Sequence, residues 1–240
     1  QKGLTYVAEP IGVICGVTPT TNPTSTTIFK AMIAIKTGNP IIFAFHPSAQ
    51  QSSKHAAKVI LEAAIKAGAP KDCIQWIEIP SIEATKQLMN HKDIALVLAT
   101  GGSGMVKSAY STGKPALGVG PGNVPTYIEK TAHTKRAVND IIGSKTFDNG
   151  MICASEQVMV VDKEVYSDVV KEFKLHQTYF VNKNELQQLE DAIMNEDKTA
   201  VKPDIVGKSA VDIAKLSGIS VPEKTKLLVA EIDGKIGRAH

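Results

Sequence analysis

The feature that most constrains this chain is its alternation of short β-branched runs with longer helical patterns. Candidate strands fall at 11–17, 40–45, 74–79, 94–99, 115–119, 157–161 and 226–231. Helical patterns fill the gaps at 25–36, 49–67, 82–90, 104–111, 134–146, 164–174, 184–193 and 209–216. In the first of these, Ile28, Met32 and Ile35 fall on one face, and Gly68-Ala69-Pro70 stops the second. The strands are near-continuous apolar runs, as parallel strands buried on both faces require. A βαβαβ order of this kind predicts an α/β fold built on a doubly wound, mostly parallel sheet with right-handed crossovers. Ligands on such sheets bind in the strand-to-helix loops at the carboxyl ends of the strands.

Charge and cysteine usage narrow the classes of partner. The 240 residues carry 27 Lys+Arg against 24 Asp+Glu, a net charge of +3 with no basic stripe. That gives nucleic acid or an anionic membrane little to bind. No apolar run approaches the roughly 18 residues of a membrane helix, and no signal segment opens the chain. Cys15, Cys73 and Cys153 form no CxxC and no Cys/His pair at metal-ligand spacing. This predicts free thiols in a reducing, cytoplasmic setting and no metal. A boundary near 128–134 divides a glycine-rich first part, 1–130, from a more charged second part, 131–240. The start at Gln1 and the loop-like tail from Gly234 to His240 lead us to expect a piece of a longer protein, each part truncated at its outer end.

Several loops have the composition that chemistry needs. After the first strand run come Val17, Thr18, Pro19, Thr20, Thr21 and Asn22, rich in hydroxyls and placed to cap the following helix. Free N–H groups there could hold an anion, although an ordinary capped turn reads equally well. Thr100-Gly101-Gly102-Ser103-Gly104 opens a helix where a dinucleotide phosphate would sit, without completing GxGxxG. A second cluster, Gly118-Val119-Gly120-Pro121-Gly122, suggests a ligand lying across both loops. His46 ends the second strand run, where a donor would reach a ribose or phosphate, though a lone histidine is more often structural. Cys153 follows the turn dipeptide Asn149-Gly150. A thiolate there is a candidate nucleophile, whereas Cys15 and Cys73 lie in apolar runs and read as packing residues.

Taken in order and spacing, the loops 18–23, 44–48, 99–104, 118–125 and 145–157 resemble those of CoA-acylating aldehyde dehydrogenases. The likeness is nearest to the aldehyde dehydrogenase half of the bacterial bifunctional aldehyde–alcohol dehydrogenases. Its most specific piece is Phe147-Asp148-Asn149-Gly150-Met151-Ile152-Cys153-Ala154-Ser155-Glu156-Gln157. It covers nearly all of the chain, but the chain amounts to about half of that family's aldehyde domain. The resemblance implies a dinucleotide-binding domain at 1–130 and the start of a catalytic domain at 131–240. It also implies NAD as cofactor, coenzyme A as co-substrate, and a short aldehyde such as acetaldehyde as substrate.

Carried over residue by residue, the family's nucleophile matches Cys153 and its first nucleotide-contacting loop matches Val17, Thr18, Pro19, Thr20, Thr21 and Asn22. Further contacts match His46, Gly102 and Gly120, and Asn22 together with the Cys153 N–H matches the oxyanion donors. The lysine and glutamate that grip the ribose in hydrolytic relatives have no match in His46-Pro47-Ser48-Ala49. The glutamate that activates water in those relatives is matched by Val119, which implies acyl transfer to coenzyme A. No metal is implied. The family's bifunctional members imply a homo-oligomer or filament, so a non-catalytic, filament-forming subunit is the alternative reading. A hydrolytic thiol enzyme would leave the glycine-rich loops without a purpose.

Overall fold

The computed structural model describes residues 3–198 and 200–232; the tail from Gly234 to His240 lies outside them. The described chain separates into two units, the first ending at Pro121 and the second beginning at Gly122.

The first unit is built from β1 (Val13–Val17), α1 (Pro23–Lys36), β2 (Ile41–Ala44), α2 (Gln50–Lys66), β3 (Ile74–Trp76), α3 (Ile82–Asn90), β4 (Ile94–Thr100), α4 (Ser103–Tyr110) and β5 (Ala116–Val119). Its five strands form one sheet in the order β3-β2-β1-β4-β5, every neighbouring pair parallel. The chain winds from β1 outward to β3, then α3 returns it to the other side of β1. The carboxyl ends of β1 and β4 therefore flank the point where strand order reverses, the usual crevice of an open α/β sheet.

Two apolar layers hold the helices on the sheet. Ile14, Ile41, Phe43 and Ile74 pack with Ala31 and Ala34 of α1 and Ala57 of α2. Cys15, Val17, Val97 and Ala99 pack with Met89 of α3 and Ala109 of α4. The small residues of α1 decide which of its faces is inside. Thr27, Lys30, Ala31 and Ala34 are buried, whereas Met32 is 58% exposed and Ile28 36%. Of the Ile28, Met32 and Ile35 face expected from spacing, Ile28 and Met32 thus lie on the outer side, and only Ile35 is partly buried against the core. Alanines allow the helix to approach the sheet closely, and that close packing outweighs the larger apolar residues.

The second unit contains β6 (Val124–Ile128), α5 (Thr134–Thr146), β7 (Glu156–Val161), α6 (Tyr166–Leu175), β8 (Thr178–Val181), α7 (Lys183–Ile193), α8 (Ala210–Leu216) and β9 (Leu227–Ala230). Strand β6 pairs with β7 and β8 with β9, both parallel. Ile128, Val138, Ile141, Val169 and Phe173 form its main core. Strands β6 and β8 add to the elements read from sequence. Pairing of β6 with β7 draws the division forward to Pro121/Gly122, ahead of the 130/131 boundary expected from composition. Helix α7 begins with a capping box. Asn182 Oδ1 accepts from the N–H groups of Asn184 and Glu185, and the Glu185 carboxylate accepts from Asn182 N–H.

Candidate functional site

The first unit gathers most of the candidate residues at the carboxyl ends of its strands. Val17 ends β1, and Thr18, 2% exposed, begins the loop to α1. The Thr18 hydroxyl oxygen is buried without a hydrogen-bond partner among the described residues. Pro19, Thr20 and Thr21 complete the loop, and Asn22 stands at the N-cap of α1. Asn22 was expected to cap that helix. Instead its Oδ1 accepts from the Ser25 hydroxyl at 2.5 Å, and its side chain takes no backbone N–H. Its amide Nδ2 thus remains available to a ligand.

At the end of β4, Gly102 is the N-cap of α4, extended at φ −64° and ψ 164°. A methyl group added at Gly102 or Gly104 would meet no atom within 4 Å. The space in front of this helix end is open, and first-turn N–H groups face it. A Cβ added at Gly120, beyond β5, would meet Val106 Cγ2 at an ordinary 3.6 Å. Gly118 has a different role: a Cβ there would lie 2.7 Å from Tyr110 and 2.8 Å from Val106. It is glycine so that α4 can lie against β5, and its N–H donates to the Tyr110 hydroxyl at 3.0 Å. His46, exposed after β2, accepts from Ser48 N–H through Nδ1 at 3.2 Å. That bond places the ring proton on Nε2 of the neutral imidazole, pointing away from its own turn.

Beneath the crevice lies a residue that sequence reading passed over. Lys30 on α1 is 1% exposed, and its Nζ donates to Val17 O at 2.5 Å and Leu98 O at 2.7 Å. It ties α1 to the last carbonyl of β1 and to a carbonyl two residues short of the end of β4, the two strands that flank the crevice. Burial pulls its ammonium down to about 7, partly offset by the Cys15 thiol. Burial pushes that thiol up to about 12, partly offset by Lys30. A lysine between Phe29 and Ala31 reads as a solvated charge; only its position one turn before Ala34, on the alanine face, hinted otherwise.

The second unit carries Cys153. All three cysteines are free thiols; Cys15 and Cys73 are buried and Cys153 is exposed. Cys153 sits between a 3-10 turn, Phe147–Gly150, and β7. A tight turn brackets it, with Ser155 N–H donating to Ile152 O at 3.0 Å, and Ser155 itself is buried. On one side of the loop Lys145 Nζ donates to Gln157 Oε1 at 2.7 Å. Desolvation lowers the Lys145 ammonium, and the Glu156 charge opposes that shift.

The residues of the first unit fit a nicotinamide dinucleotide. An orphaned hydroxyl at Thr18, the amide nitrogen of Asn22 and an open glycine-lined helix end lie at adjacent strand termini. Comparison with known proteins points to one family. The family model described as "Aldehyde dehydrogenase family" matches residues 1–198. The aldehyde-alcohol dehydrogenase of Streptococcus pneumoniae serotype 4 is 59% identical over 236 residues, covering 95% of this chain and 27% of that protein. An acetylating aldehyde dehydrogenase from Geobacillus thermoglucosidasius superposes with a TM-score of 0.89 at 50% identity, over 94% of this chain and 50% of that one. A propionaldehyde dehydrogenase from Rhodopseudomonas palustris, solved with bound CoA and an acylated cysteine, gives 0.85 at 34% identity, over 93% of this chain and 51% of that one. The chain therefore spans about a quarter of that curated relative and about half of each of these solved ones.

Proposed function

Because the chain belongs to the aldehyde dehydrogenase family, we propose that it carries the cofactor crevice and nucleophile of a CoA-acylating aldehyde dehydrogenase. The reaction is interconversion of acetaldehyde, or a similar short aldehyde, plus CoA and NAD with the acyl-CoA and NADH. One observation carries the reading: of three free thiols, only Cys153 is exposed, and it lies in a turn anchored on both sides.

The Cys153 thiolate adds to the aldehyde carbon, forming a C–S bond and leaving negative charge on the former carbonyl oxygen. Its own backbone N–H is assigned to that oxygen, and the Asn22 amide is assigned as a substrate-side donor. One such donor contributes about 3 kcal/mol to the transition state. When bound, NAD supplies the acceptor for the aldehyde hydride, so that the cysteine adduct becomes a thioester. Val17, Thr18, Pro19, Thr20, Thr21, Asn22, His46, Gly102 and Gly120 are assigned to holding it. The CoA thiolate then attacks the thioester carbon, the C–S bond to Cys153 breaks, and the cysteine thiolate is restored.

The loop after β5 favours transfer to CoA rather than to water. Residues 118–122 contain no acid, and the next, Glu129, comes only after β6. Without a positioned base, water attack loses about 10²–10⁴-fold, whereas a thiol is partly ionised near neutral pH. The relative that was solved with CoA and an acylated cysteine supports an acyl group carried on the cysteine. Free thiols support a reducing, cytoplasmic location, and the reading includes a homo-oligomer or filament. The test follows NADH formation by the full-length polypeptide with acetaldehyde and NAD, with and without CoA. Turnover that depends on CoA and yields acetyl-CoA is expected; free acetate formed equally fast without CoA overturns the proposal.

A further inference from the structure

The loop that leads to Cys153 holds an unusual backbone. Asp148 and Asn149 adopt φ of 50° and 51°, and Gly150 follows at 71°. Two consecutive non-glycine residues in the left-handed region are costly, each by about 1 kcal/mol or more, so surrounding contacts must hold them there. Within the turn, Met151 N–H donates to Asp148 O at 3.1 Å; the long-range contact is on Asn149. Although the residue is exposed, its Nδ2 donates to Gly207 O at 2.8 Å, across 58 positions of sequence. Gly207 is also left-handed, at φ 79°, and Met151 Sδ lies 3.6 Å from where its Cβ would be. The segment after the 3-10 turn Pro203–Ile205 therefore holds the left-handed run at Asn149 and lies beside Met151, the residue that follows it, all within the second unit.

We infer that Asn149 is a positioning residue for Cys153, its side-chain clasp on Gly207 holding the left-handed run that sets where the thiol stands. This rests on the reading of Cys153 as nucleophile. Asparagine suits the task on two counts: it tolerates the left-handed conformation better than most residues, and its amide supplies the donor. The turn dipeptide Asn149-Gly150 explains the backbone but not the clasp, because a turn needs no partner at Gly207.

Two substitutions separate backbone from clasp. Asn149→Gly keeps the left-handed conformation and deletes the donor. Asn149→Asp keeps size and conformational tolerance but turns a carboxylate toward the Gly207 carbonyl. In the full-length polypeptide, both should lower kcat for CoA-dependent NADH formation by about 10-fold or more, as a displaced nucleophile does. KM for NAD should stay within about twofold, since the cofactor residues lie in the other unit, and iodoacetamide should alkylate Cys153 more slowly across its pH profile. Thermal melting of each variant shows whether it is folded, and Cys153→Ala is assayed beside them. If Asn149→Gly is folded and turns over like the parent while Cys153→Ala is inactive, the clasp has no positioning role and the inference falls alone. Full activity of Cys153→Ala overturns the nucleophile assignment itself. If Asn149→Gly does not fold, unchanged kcat and alkylation in Asn149→Asp overturn the inference.

Discussion

Replacing Lys30 with methionine tests how the crevice between β1 and β4 is underpinned. Its ammonium, 1% exposed, is bonded to two carbonyls and, among the described residues, to no carboxylate. Burial brings it from 10.5 to about 7. Below pH 7 the group is charged in both folded and unfolded chains, and the folded state bears the cost of burying it. Between about 7 and 10.5 the unfolded chain still holds a proton that the folded chain has released, so stability rises with pH. The slope approaches about 1.4 kcal/mol per pH unit, so from pH 7 to pH 9 the gain is ~2 kcal/mol. Cys15 acts with opposite sign at higher pH. Raised from 9.0 to about 12, its thiol keeps in the folded chain a proton that the unfolded chain loses, so stability falls above pH 9. The window from 7 to 9 therefore isolates Lys30. Urea unfolding at several pH values, followed by the fluorescence of Trp76, measures it; this tryptophan is the sequence's only one and lies in β3 of the same unit. The stability difference between parent and Lys30→Met should grow by ~2 kcal/mol from pH 7 to pH 9 in favour of the parent. A difference that stays flat or declines would mean that the folded chain keeps Lys30 charged, and the reasoning fails.

Further outcomes concern the thiols and Gly118. Brief iodoacetamide treatment with peptide mapping should label Cys153 before Cys15 and Cys73, and Cys153→Ala should abolish aldehyde oxidation, whereas Cys73→Ala should cost only about 1 kcal/mol of stability; equal labelling of all three thiols counts against the assignment. Gly118→Ala should lower the urea midpoint by an amount equivalent to about 1–3 kcal/mol, because its Cβ would press on Tyr110 and Val106 at 2.7 and 2.8 Å. An unchanged midpoint would show that α4 does not depend on that close approach.

The parallel sheet was legible because its central strands are apolar on both faces and each ends at a loop with a strong turn signature. Helix α3 was legible to its ends, with Ser81 Oγ accepting from Ala84 N–H at its start. Strand β6 was hidden by Pro125, which removes a ladder donor and disguises the run as a loop. Strand β8, Thr178–Val181, was also missed, although β2, β5 and β9 are equally short and were read correctly. The buried side of α1 was misjudged because spacing favours large apolar residues, whereas helix-to-sheet distance is set by Ala31 and Ala34. At the candidate site, Cys153 and the glycine loops carry local signatures. Lys30 and the Asn149–Gly207 clasp do not: each depends on a partner far away in the chain, at Leu98 and Gly207, that no local pattern announces.

The strand order also dictates a sequence of events during synthesis. Of the five strands of its sheet β1 is made before the others yet lies at the centre, and one of its two partners, β4, starts at Ile94. Until β4 has been made, the outer edge of β1 is an unpaired ladder, and Lys30 lacks Leu98 as its second carbonyl. Closing so long a loop is entropically slow, and such non-local pairing retards folding. The crevice between β1 and β4 is thus among the last features of the first unit to form. A nascent chain halted before Ile94 should present a sticky edge to chaperones, and a ligand bound across β1 and β4 should stabilise the completed unit while leaving earlier intermediates untouched.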